Sequence, residues 1–163
     1  MKQILLPLLG TIIFIVLVGM FVSNSGKFVK TPPQNDNRNI VKIKDIEISV
    51  DISDTAEKRS KGLSGREFLN EKEGMLFIFD QQTGKPVFWM KDMIIPIDII
   101  WIKNEKIIQI DKNIQAPQKD TPDSMLVRYS PKETVNYVLE VNSGFSDKYA
   151  FNIGDGVSLS LIK

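Results

Sequence analysis

Residues 97–102 read IDIIWI, five aliphatic or aromatic side chains around one carboxylate, and the fold turns on how that run is read. The run is short, rich in β-branched residues and preceded by Pro96, so it predicts a strand buried on both faces rather than a helix. Residues 74–79 (GMLFIF) and 87–90 (VFWM) have the same character. These three are expected at the centre of a sheet. Residues 106–110, 135–141 and 157–162 add further strands, with turn signals such as Asn104-Glu105 and Gly154-Asp155-Gly156 ahead of them.

Working upstream, residues 40–52 (IVKIKDIEISVDI) place apolar side chains at Val41 and Ile43, then at Ile46, Ile48, Val50 and Ile52. The break at Lys44-Asp45 makes this a hairpin. Asp54 and Glu57 have capping-box spacing and Gly62 suits a left-handed cap, so a short helix lies between them. Glu57, Lys58, Arg59 and Lys61 crowd that helix and leave it little apolar face. Seven or eight strands with one helix predict a mainly β domain: compact, antiparallel and curled into a partly closed barrel. Residues 111–134, with Pro117, Pro122 and Pro131, form a connection long enough to be a lid or plain disorder.

The 163 residues are 42% hydrophobic and 25% charged, which supplies one globular core and excludes a disordered chain. Lys and Arg number 21 against 20 for Asp and Glu, so there is no net field to hold a nucleic acid backbone. With no Cys and no His, the chain lacks thiol and imidazole nucleophiles and the ligands of nearly all zinc, copper and haem sites. Neither a cofactor nor a metal site is expected.

Residues 4–22 carry no charge and, as a helix rising about 1.5 Å per residue, would span the roughly 30 Å hydrocarbon core of a bilayer. An uncleaved membrane anchor is preferred to a cleaved signal peptide, because Ser23, Asn24, Ser25 and Gly26 make a mediocre cleavage site. Charge does not fix the orientation, since Lys2 lies on one side and Lys27, Lys30 and Arg38 on the other. The absence of Cys suits an oxidising compartment, so the domain is placed outside the cytoplasm, either tethered or, after cleavage, secreted. Residues 23–39 read as a linker, and residues 40–163 as a single monomeric domain.

Five motifs occur in order: GLSGRE at 62–67, GMLFIF at 74–79, FWMK at 88–91, IPIDIIWI at 95–102 and VLEVNSG at 138–144. Together they resemble the DUF192 family of small prokaryotic domains of unknown function. The resemblance implies a compact β-rich domain with a short helix and no particular reaction. Two departures stand out against it: Asp92 and Met93 follow Lys91 where the family usually reads Asn-Thr, and no cysteine precedes Tyr129.

Candidate site residues come from these motifs. Asp98 shares a strand face with Ile100 and Ile102, where a carboxylate needs a partner, and Lys91, Arg59 and Arg66 are the nearest motif cations. Such a pair is either a working site or a buried ion pair that fixes the sheet's register. Trp89 and Lys91 share one face of FWMK, giving a platform for a sugar or other polar ligand or a core Trp covered by a snorkelling Lys. Arg66 presents a fork suited to a carboxylate or phosphate, or staples the preceding turn to the sheet. Glu140 stands on the face opposite Tyr137, Leu139 and Val141, where it is plainly exposed or, failing that, walls the Asp98 site.

Three functions follow. The first is binding of a small polar ligand or an envelope partner through a cleft near Arg66, Trp89, Lys91 and Asp98, under the long loop. The second is carboxylate chemistry such as glycan hydrolysis, pairing Asp98 with Glu140 or Asp92 at about 5 to 10 Å. The third is a structural or assembly role with no ligand site.

Overall fold

A computed structural model describes residues 38–79 and 85–162; the leader and most of the linker lie outside them. In chain order the elements are β1 (Ile40–Ile43), β2 (Ile46–Ser53), α1 (Ala56–Lys61), β3 (Glu73–Ile78), β4 (Phe88–Trp89), β5 (Ile97–Lys103), β6 (Lys106–Ile114), a 3-10 turn (Asp123–Met125), β7 (Arg128–Tyr129), β8 (Tyr137–Asn142), α2 (Phe145–Lys148) and β9 (Val157–Ser160).

Seven strands form one sheet in the order β6-β5-β8-β3-β2-β1-β9. The β1–β2 hairpin turns at Lys44, which takes a left-handed φ of 53°. The antiparallel expectation fails at one step, because β2 and β3 pair in parallel. Residues 54–72, with α1 among them, carry the chain back to the start of β2, and a return of that length is what parallel pairing requires. The capping box is also displaced: Thr55 is the N-cap, accepting from the Lys58 amide at 3.2 Å, while the Asp54 carboxylate takes the Lys58 ammonium at 2.8 Å.

The sheet curls until its two edges touch. Lys106 bridges Gly156, the Ile107 amide donates to the Asp155 carbonyl at 3.0 Å, and the Val157 amide donates to the Glu105 carbonyl at 2.8 Å. The result is a half-barrel closed at one end, as the patterning predicts.

Alternation along the strands divides the apolar residues between two faces. One face, supplied by all seven strands, gathers Val41, Ile48, Leu76, Ile100, Leu139 and Val157 with Phe145 and Phe151. The other gathers Leu63, Phe77, Ile99, Trp101 and Val138 with Met90 and Met93. The run 87–90, expected in the sheet's centre, stands outside it: β4 pairs only with β7, and lies over the second face. Phe88 holds it there, edge-on to Phe77 and Trp101 at centroid distances of 4.8 and 5.4 Å. β6 runs on to Ile114, which shortens the long connection, and α2 is a second helix that the strand-dominated patterning did not predict.

Candidate ligand-binding cleft

The second face is only partly covered. α1 and the turn after it stand on one side, β4 and the segment after it on the other, and between them opens a cleft of about 320 Å³. Two hydrogen bonds hold its walls together: the Ser64 hydroxyl donates to the Lys91 carbonyl at 2.9 Å, and the Gly65 amide donates to the Asp92 carbonyl at 2.9 Å. Asp92 sits at a positive φ of 56°, which aims that carbonyl at the turn.

Leu63, Phe77 and Met93 give the cleft a buried apolar lining. Glu140 joins them. Strand β8 sets its side chain on this face between Met75 of β3 and Ile99 of β5, and it is 5% exposed. It is therefore buried, against the expectation of a solvated side chain, because β4 and α1 roof a face that the strand period alone leaves open. Its Oε2 has no hydrogen-bond partner among the described residues. Burial alone pushes the carboxyl up to about 8, so at neutral pH it is an uncharged acid with an O–H to donate.

The cleft's mouth is cationic. Arg59, Lys61 and Lys91 line it, and Glu140 is the single carboxyl among the described lining residues. Arg59 lies 5.3 Å from the Phe79 ring centre and donates from one guanidinium nitrogen to the carbonyls of Asp54 and Ile78 at 2.8 and 3.2 Å. Trp89, 37% exposed, carries Arg128 at 3.8 Å and Lys91 at 5.3 Å from its ring centre. Lys91 is paired with Asp123 at 2.6 Å, which holds the ammonium above its usual range.

Four sequence candidates thus share one cleft: Arg59, Trp89, Lys91 and Glu140. The other two stand elsewhere. Arg66 reaches Asp51 of β2 at 2.6 Å and staples its turn to the sheet. Asp98 is fully buried on the opposite face, and no cation among the described residues pairs with it. Its Oδ1 accepts the amides of Asn113 and Gly144 at 2.8 and 3.0 Å, and its Oδ2 accepts the Ser146 amide at 2.9 Å. Asn113 and Gly144 have φ of 54° and 80°, and these left-handed turns aim the N–H groups at the carboxylate. Both the working pair and the buried ion pair are set aside by this geometry.

The long connection walls a second hollow, which Lys91 shares with Asp92, Met93 and Ile94, and borders a third beside Met90 and Tyr129. Of the four residues expected beneath the loop, only Lys91 lines one of these hollows, and none of the connection's residues lines the cleft under α1. Sequence reading missed Lys61, Phe77 and Arg128. The four residues of β4 and β7 are too few to declare a pairing, and without that pairing nothing links Arg128 to Trp89.

Comparison with known proteins places this fold. Two solved structures are similar: a protein proposed to be a transcription regulator from Sinorhizobium meliloti 1021, at 25% identity and TM-score 0.63 over 75% of this chain and 92% of that one; and a protein of unknown function from Novosphingobium aromaticivorans DSM 12444, at 25% identity and TM-score 0.62 over 74% and 83%. No curated protein matches the sequence. The profile of DUF192, described as an uncharacterized group, matches residues 39–159, and the chain belongs to that family.

Proposed function

We propose that this domain is a ligand-binding module, tethered outside the cytoplasm by residues 4–22, whose cleft takes a small molecule with an apolar body and a hydrogen-bond acceptor. The observation that carries the reading is Glu140. An acid with an unpartnered oxygen, buried against Leu63, Phe77 and Met93, is costly to keep unless a ligand accepts its proton donor. The cleft's volume is at the small end of ligand sites, which favours a single ring or a short chain.

Binding is favoured over carboxylate catalysis by the distribution of acids. Asp98 and Glu140 project from opposite faces of the sheet, and Asp92 borders a different hollow, so no second carboxyl among the described residues joins Glu140 in the cleft. A concave site also weighs against a purely structural role.

The test uses the full chain in zwitterionic lipid nanodiscs, labelled with 5-fluorotryptophan. Benzamide, a ring bearing a carbonyl acceptor, is expected to shift the Trp89 fluorine resonance saturably and to leave buried Trp101 nearly still. Glu140→Leu should abolish the effect and Glu140→Gln should keep it. No response at Trp89 in the parent, or an equal response in Glu140→Leu, overturns the reading.

A further inference from the structure

The cleft's charge says more about what it takes. We propose that its ligand is a small organic anion, a carboxylate carried on a single ring or short acyl body, one oxygen accepting from Glu140 and the charge facing Arg59 and Lys61, with the body over Phe77 and Leu63. This rests on the ligand-binding reading above and narrows it.

The cations of the mouth are not cancelled from within. Glu140 contributes no charge while protonated, and the three basic residues Arg59, Lys61 and Lys91 remain. Lys91 has Asp123, but neither Arg59 nor Lys61 forms an ion pair among the described residues. Of the acids close to Arg59 in the chain, Glu57 forms no ion pair among the described residues and Asp54 is held by Lys58 at 2.8 Å.

Arg59 is moreover fixed in a way that presents its free edge. Both of its described hydrogen bonds leave from Nη1, to main-chain carbonyls, and its guanidinium lies against Phe79. Nη2 and Nε keep their donors without partners among the described residues. A pre-oriented fork of that kind matches the two oxygens of a carboxylate. Lys61, exposed on the same helix, adds a charge that only an anion rewards.

The deciding measurement compares three ligands of one shape, benzoate, benzamide and benzylamine, on the fluorotryptophan-labelled full chain in nanodiscs at pH 6.5. Benzoate should bind about fivefold or more tightly than benzamide, and benzylamine should leave Trp89 unmoved. Lys61→Met, a change at an exposed side chain, should weaken benzoate about threefold and narrow its preference over benzamide; an unchanged preference counts against the anion assignment. Equal affinities for benzoate and benzamide overturn the anion assignment while the ligand-binding reading stands. Silence at Trp89 with all three overturns both.

Discussion

Asp98 and Glu140 lie on neighbouring strands, both buried, and they meet the cost of burial by opposite routes. Asp98 collects three main-chain amides, so removing it orphans donors rather than a cation. Asp98→Ala should therefore cost about 3 to 5 kcal/mol in urea melts, at roughly 1 to 3 kcal/mol for each stranded N–H with some relaxation. Changing Arg59, Arg66 or Lys91 to Met should be additive with it, because none of them touches the carboxylate; coupling above about 1 kcal/mol would restore the ion pair. Glu140 lowers its cost, without removing it, by keeping its proton. Its pKa is raised on folding, from an ordinary 4.5 to about 8, so its contribution to stability is complete below pH 4.5 and is lost as pH rises to 8. That loss is on the order of 4 kcal/mol. Comparing melts at pH 5 and pH 8, Glu140→Gln should lose distinctly less stability than the parent; parallel losses would mean that the acid is ionised throughout. That Asp98 needed a partner was legible in its apolar face, but not which partner, since the amides come from residues 113, 144 and 146 through two left-handed turns that local patterning does not reveal.

At the scale of elements, the strands were the legible part. Apolar runs and turn signals locate β1, β2, β3, β5, β6, β8 and β9 to within a few residues, because each is long enough to carry its own period. What escaped were pieces held by distant contacts: β7 at two residues, α2 at four, the pairing of β4 with β7 outside the main sheet, and the parallel step at β2–β3, where only the route of the chain decides direction. The close fit of β3 against β8 gives a test at this scale. A Cβ added at Gly74 would stand 2.6 Å from the Glu140 carbonyl oxygen, a main-chain atom that cannot swing aside. Gly74→Ala should cost about 3 kcal/mol and displace Glu140 within the cleft. A variant as stable as the parent would show that the two strands separate easily.

For the whole molecule, the central question is where the domain stands. No helix among the described residues is long and apolar enough to cross a membrane, so the proposed tether rests on residues 4–22. Protease added to intact spheroplasts should remove the domain; digestion only after lysis would place it in the cytoplasm. The half-barrel has a further consequence, one of timing. The strand beside β1 is β9, so Ile40 must find Ser160 across nearly the whole folded sequence. Pairings that distant make for slow folding. During synthesis the β1–β2 hairpin exists long before its outer neighbour is made, and β1 meanwhile offers an open row of amides and carbonyls to any other extended chain. A newborn copy therefore carries β1 as an unpaired edge until residues 157–160 arrive.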